Sequence, residues 1–215
     1  MQNSERIWQL VDARKDTYEA LSDRVWGTPE ICYTEHRSMA EHRAMLDEEG
    51  FRITENLAGI PTAIMGEAGE GGPVIAILGE YDALPGLSQV AGIAEPKPLT
   101  PGGHGHGCGH NMLGAAALLA ATAVKNQLSE QGLKGRVRYY GCPAEEGGAA
   151  KVFMVRAGLF DDVDIAITGI PLPSTASTTP SASPTRDSTS RSRVGPRMPR
   201  PHHTWAAAHS TRWSS

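Results

Sequence analysis

Residues 73–86 read PVIAILGEYDALPG. The run Val74 to Leu78 is apolar without interruption, which suits a strand covered on both faces of a sheet. Gly79 closes it, and two acids, Glu80 and Asp82, follow at once. Carboxylates at the C-terminal end of a buried strand are candidate metal ligands or orienting groups, because open α/β sheets gather their chemistry beyond the strand ends. Ordinary loop acids account for the same letters equally well.

Outward from this strand, apolar spacing alternates between the two periods of regular structure. Upstream, a Gly-rich turn at 69–72 follows short strands at Thr62 to Gly66 and Phe51 to Glu55. Before them lies a helix over about 36–49, with Met39, Met45 and Leu46 on its inner side and Gly50 as its stop. His36 and His42 sit on the polar part of that helix and are expected to be exposed. The first helix spans 4–26, where Ile7, Leu10, Val11, Tyr18, Leu21 and Val25 recur at helical spacing, and Gly27, Thr28 and Pro29 end it. Downstream come an Ala-rich helix over 111–126, a strand over 136–140, a short helix near 149–157 closed by Gly158, and a last strand from Asp162 to Thr168. Such alternation predicts an α/β sheet layered with helices.

Composition narrows the classes. The chain has 215 residues, of which 40% are hydrophobic, enough to build one core. A net charge of -4 gives no electrostatic reason to expect nucleic acid or an anionic membrane as partner. No apolar run reaches the roughly 20 residues that span a bilayer, and the mixed-charge N-terminus lacks the order of a secretory signal. Three cysteines do not make a disulfide framework, so a reducing, cytoplasmic setting is expected. The averages conceal a break. Residues 169–215 include 10 Ser, 7 Thr, 7 Pro and 6 Arg, with Asp187 as the only acid. That segment carries +5 and the rest -9. With too few large apolar residues to offset chain entropy, 169–215 is expected to be a disordered tail behind a domain at 1–168.

Two further segments carry chemistry. GGHGHGCGHNMLG (102–114) sets His104, His106, Cys108 and His110 at every second position, with glycines between them, just ahead of a helix. Thiolate and imidazole are preferred zinc ligands, and glycines let a loop fold tightly round an ion. A flexible Gly/His linker is the plain alternative, and the spacing leaves open which of the four would bind. CPAEEGG (142–148) places Glu145 and Glu146 directly after a strand. One could ligate a metal while the other accepts a proton from water; taken alone, a surface Glu-Glu pair is more often solvated. Cys32 and Cys142 read as small core residues.

GEYDALPG, HGCGHN, YYGCPAEEGG and FMVRAGLFDDVDIAIT occur in the order and spacing of the dinuclear metal amidohydrolases, the aminoacylase and carboxypeptidase family of metallopeptidases. The resemblance covers essentially all of residues 1–168. It implies the N-terminal part of a zinc-peptidase-like, three-layer sheet-and-helix catalytic domain. It also implies two divalent metal ions, zinc or manganese, and cleavage of the amide bond of an N-acyl amino acid, most specifically p-aminobenzoyl-glutamate. Residue by residue, it implies Cys108, His110 and Glu146 as metal ligands, Glu145 as general base and Asp82 as the group that holds the ligands in place. Glu80 stands where more distant relatives carry a metal-binding histidine, and His106 is expected behind the ligands, with His104 less secure. Asn111 departs from the aspartate usual after Cys-Gly-His. Members of the family dimerise, or pair with a homologous subunit, through a lid domain expected to be absent here. Other N-acyl amino acids or dipeptides, as in aminoacylases and hippurate hydrolases, are the alternative substrates. A non-catalytic metal-binding remnant is a further alternative.

After DIAIT the family continues Trp-His-Pro, whose histidine is another ligand, whereas this chain reads Gly169, Ile170, Pro171. One lost nucleotide produces that change: ACG TGG CAT CCC becomes ACG GGC ATC CCC. Allowing codon choice, VGPRMPRPHHTWAAAHSTRWSS (194–215) rereads in the earlier frame as GRASHAAAAPHLGRSALDAVEL, which resembles the family's lid. A frameshift after Thr168 is therefore expected, and with it a chain of little or no amidase activity. A divergent tail is the alternative, and an interaction protein using its basic segment is a third reading. His202, His203 and His209 are not expected to replace the missing ligand.

Overall fold

A computed structural model describes residues 3–169. Apart from Gly169, the expected tail, its rereading and its histidines lie outside the described residues. Helices α1 (Asn3–Asp12), α2 (Lys15–Trp26) and α3 (His36–Glu48) precede strand β1 (Arg52–Glu55), a short 3-10 turn at Leu57–Gly59, and strands β2 (Ile64–Glu70) and β3 (Val74–Glu80). Helix α4 (His110–Glu130), strand β4 (Gly135–Cys142), helix α5 (Ala150–Arg156) and strand β5 (Ile165–Ile167) complete the order. No helix among these residues is long and apolar enough to cross a membrane.

The five strands form one sheet in the order β1-β2-β4-β3-β5. β1 and β2 are antiparallel, as are β2 and β4, while β3 runs parallel to both β4 and β5. Side chains alternate across the sheet, as the pleat requires. On one face Ile64, Ala68, Ile77, Val137 and Tyr139 pack with Tyr18, Leu21, Leu46 and Leu118 from the helices. On the other, Ala63, Ala76, Tyr140 and Cys142 pack with Leu57, Ala150 and Met154. Helices therefore lie on both sides of the sheet, in three layers. Cys142 is fully buried, whereas Cys32 lies half-buried at the edge of the second cluster. β3 is apolar because both of its faces are packed, although Ile75 and Leu78 are only partly covered. On the β5 edge, Ile165 and Ile167 are about half exposed (51% and 50%).

Three expectations need correction. The single helix over 4–26 is two helices, divided at Ala13 and Arg14. Arg14 leaves the helical region (φ -115, ψ 0) and its guanidinium pairs with Glu49 at the end of α3. A tertiary ion pair thus overrides a local apolar period that runs on across the break. The last strand is confined to Ile165–Ile167, because the acids before it are engaged elsewhere. Asp162 pairs with Arg138, and Asp164 accepts the Val74 N–H at 2.8 Å. His42 is not exposed but completely buried. Its ring stacks on Tyr139 (centroids 5.7 Å apart, planes 4° apart), and Nδ1 lies 2.9 Å from the Tyr139 hydroxyl. Tyr81 packs against the same ring. His36 is exposed, as expected.

Helix α4 lies very close to β3, and Gly114 makes that possible. A first side-chain carbon at Gly114 would sit 2.3 Å from the Glu80 carbonyl oxygen and 2.8 Å from the His42 ring. Gly114→Ala is accordingly expected to destabilise the chain by about 1–3 kcal/mol through overpacking, despite alanine's better helix propensity. A raised midpoint in thermal melts followed by circular dichroism would contradict the close approach.

Burial holds the His42 pKa down at about 3, against an ordinary 6.5, with Arg24 adding to the effect. Unfolding then takes up a proton that the folded chain refuses. This contribution to stability is complete above about pH 6.5 and declines as pH falls toward about 3, by up to about 1.4 kcal/mol per pH unit. Urea melts across that range should show a shallower decline for the His42→Phe/Tyr139→Phe double variant than for the parent chain.

Candidate metal centre

β3 and β4 are parallel neighbours, and their register sets Glu80 opposite Cys142. The loops that follow them, 81–86 and 143–148, therefore leave the sheet at one level. The third contribution comes from the loop before α4. Gly109 takes a left-handed conformation (φ +83) and turns the chain so that His110 opens the helix. Leu84 and Gly105 exchange backbone hydrogen bonds at 3.0 Å, which ties that loop back to the one after β3.

His110 is the hub. Its Nδ1 lies 2.9 Å from Asp82 Oδ1 and 3.1 Å from the Asp82 carbonyl. Its Nε2 lies 3.0 Å from Glu80 Oε2 and 3.8 Å from both Glu145 Oε2 and Glu146 Oε1. Asp82 also accepts the Glu146 N–H through its other oxygen at 2.9 Å, so one buried carboxylate fixes both the ring and the second loop. Burial disfavours the imidazolium, but the Asp82 hydrogen bond and the charges of Asp82, Glu80 and Glu146 outweigh it and hold the His110 pKa above its ordinary value. Cys108 is pushed up to about 11 by burial and by Glu146, Glu145 and Glu80.

Two sets of donors converge here. Cys108, His110 and Glu146 present ligand atoms within 4.8 Å of one another, and so do Glu80, His110 and Glu145. Ligands of one tetrahedral zinc, with bonds of about 2.0–2.2 Å, stand about 3.4 Å apart. The distances from Nε2, 3.0 to 3.8 Å, bracket that spacing. The chemistry of the donors fits as well: a thiol, an imidazole and carboxylates within reach of one ion suit a divalent cation.

Of the residues singled out by sequence, Cys108, His110, Glu145, Glu146, Glu80 and Asp82 are thus brought together. His104 and His106 belong to neither donor set. His106 is buried beside Trp26, with Nε2 3.1 Å from the Val25 carbonyl. Burial lowers its pKa to about 4, and it anchors the glycine loop to the end of α2. Asn111 is also buried and donates to Ser22 Oγ at 2.9 Å.

Sequence reasoning missed two residues. Glu35 is fully buried and accepts the Ala144 N–H at 2.9 Å. Ala144 immediately precedes Glu145 and is held at φ 56, a left-handed conformation unfavourable for a residue with a side chain. The loop that presents the two glutamates is thus strained and pinned from behind. Lys151, on α5, pairs with Glu80 Oε1. It lies six residues beyond Glu145 in the sequence, and no local pattern marks it.

The sequence pattern of Peptidase family M20/M25/M40 matches residues 76–193. This chain belongs to that family. It is 54% identical over 166 residues to a p-aminobenzoyl-glutamate hydrolase subunit of Escherichia coli (strain K12), covering 77% of this chain and 34% of that protein. It is 30% identical over 173 residues to the Xaa-Arg dipeptidase of Mus musculus, covering 74% and 36%. The chain therefore spans about a third of the length of these relatives. Among solved structures, a Bacillus subtilis protein described as a dinuclear metal-binding peptidase of the M20 family is 27% identical with a TM-score of 0.54, covering 71% of this chain and 42% of that one. A protein from methicillin-resistant Staphylococcus aureus shares the fold, with a TM-score of 0.60, 21% identity and coverage of 75% and 41%.

Because Asp82 holds both His110 and Glu146, Asp82→Asn is expected to weaken zinc uptake by about 10–100-fold. Competition against a chromophoric chelator measures this, and undiminished uptake would dissociate Asp82 from the centre.

Proposed function

We propose that these residues form part of the catalytic centre of a metal-dependent amidohydrolase acting on N-acyl amino acids, most specifically p-aminobenzoyl-glutamate, in the cytoplasm. The observation that carries the reading is the convergence of Cys108, His110 and Glu146 on one point, with Glu145 beside it. The likeness to the Escherichia coli hydrolase supports the substrate, and a thiol ligand suits a reducing compartment.

In this reading Cys108, His110 and Glu146 hold a divalent cation, zinc or manganese, and a second ion shares the centre in the intact family architecture. Bound there, such ions acidify water and polarise an amide carbonyl. The chain's own residues supply the rest. Asp82 accepts the Nδ1 proton of His110, which leaves the Nε2 lone pair facing the centre. Glu145 is the most exposed of the site's acids, with 45% of its side chain accessible, so it can meet water and substrate. It accepts the proton of the attacking water and returns it to the leaving amine. Ala144 and Glu35 fix the angle at which Glu145 is offered.

The residues after Thr168 limit what the chain achieves. The family's Trp-His-Pro is replaced by Gly169, Ile170 and Pro171, which removes one histidine donor. We therefore expect metal uptake with little turnover. Zinc or manganese titration of the purified chain should show binding that Cys108→Ser and Glu146→Gln each weaken by tenfold or more, while Glu145→Gln binds normally. Failure of the parent chain to take up either metal would overturn the centre. Release of p-aminobenzoate at rates ordinary for enzymes, about 1 per second or faster, would overturn the expected loss of activity. If N-acetyl amino acids or dipeptides are cleaved in preference, only the substrate assignment falls.

A further inference from the structure

The two donor sets share one residue. His110 belongs both to the set with Cys108 and Glu146 and to the set with Glu80 and Glu145, and with Nδ1 held by Asp82 Nε2 is the nitrogen it has to offer. Nε2 has a single lone pair, so one cation at a time can use it. Whichever set claims that nitrogen decides whether the bound ion meets a sulfur or only oxygen and nitrogen. Softer, zinc-like ions favour thiolate, whereas manganese favours carboxylate oxygen.

One feature biases the choice. Glu80 is buried, with Oε2 3.0 Å from Nε2 and Oε1 paired with the Lys151 ammonium. Among the described residues, Lys151 is the only lysine or arginine paired with any of the four carboxylates Glu80, Asp82, Glu145 and Glu146. Its position is fixed by α5, which packs on the sheet through Ala150 and Met154. A resident ammonium at Glu80 offsets that carboxylate's charge and competes with any divalent cation for it. Among the described residues no such competitor stands at Glu146 or Cys108.

We propose that Lys151 is a positioning residue for metal selectivity: by occupying Glu80 it reserves His110 Nε2 for the set with Cys108 and Glu146, and so favours zinc over manganese. The proposal rests on the metal-centre reading above. Removing the ammonium frees Glu80 to join Glu145 around His110, and an oxygen-rich set forms at the expense of the thiolate set.

The test uses the full chain with zinc, manganese and cobalt(II) as probes. The ratio of zinc to manganese affinity, measured by chelator competition, is expected to fall about tenfold in Lys151→Met. The near-ultraviolet thiolate-to-cobalt charge-transfer band should weaken in parallel. Lys151→Arg keeps the cation and should retain the parent values. In a Glu80→Gln background, Lys151→Met should change neither quantity, because the group on which Lys151 acts is gone. An unchanged ratio and an unchanged cobalt band in Lys151→Met, with the parent chain binding metal, would overturn the role of Lys151 alone. The same shift in Lys151→Met with and without Glu80→Gln would also overturn it, by showing that the lysine acts through some other group. Absence of metal uptake by the parent chain would overturn the metal-centre reading, and this inference with it.

Discussion

The hydrogen bond from the His110 ring to Asp82 joins two parts of the chain that the sheet alone would leave independent. Asp82 follows β3 directly, and His110 opens α4, which crosses behind that strand. With the ring fixed at Nδ1, the other nitrogen has one direction to face. The second oxygen of Asp82 holds the Glu146 backbone, so the glutamate loop is set by the same carboxylate. The parallel register of β3 on β4 makes this economical, since strands ending at one level need only short loops to meet. Asp82 is almost wholly buried and both of its oxygens are used, as a buried carboxylate requires.

The cost of this arrangement is electrostatic. Four carboxylates around one imidazole repel one another, and three of them add to the burial that raises the Cys108 pKa. A fold selected only for stability would place apolar groups here. The strain at Ala144 and the buried Glu35 behind it point the same way. Local rules are broken where a site is being held in shape, and the surrounding packing compensates. That packing is ordinary: two apolar clusters on opposite faces of a five-stranded sheet, with tyrosines filling the largest spaces.

Much of this was legible in the letters, and the exceptions are instructive. The strand at Val74 was readable because a parallel strand packed on both faces is continuously apolar. The glycine-spaced loop at 102–114 and the paired Glu145 and Glu146 offered candidate donors by their spacing, and only the family resemblance narrowed them to Cys108, His110 and Glu146. The division of the first helix was not, since its cause is a partner at Glu49, far along the chain. His42 was misjudged from its polar neighbours, although Ser38, His42 and Met45 share a helical face and all three are buried. The periodicity held the answer and the residue type obscured it. Lys151 gave no local sign at all, because its meaning depends on which carboxylate the sheet brings opposite.

The tight seat of α4 on β3 at Gly114 bears on how such a chain tolerates change. Glu80 and His110 are held together by that helix-strand contact rather than by the segment connecting them. Residues 91–96, which are exposed and lie between the partners Val90 and Lys97, can therefore be recast without disturbing the spacing of the two side chains. The connecting segment behaves as a handle whose ends are welded in place.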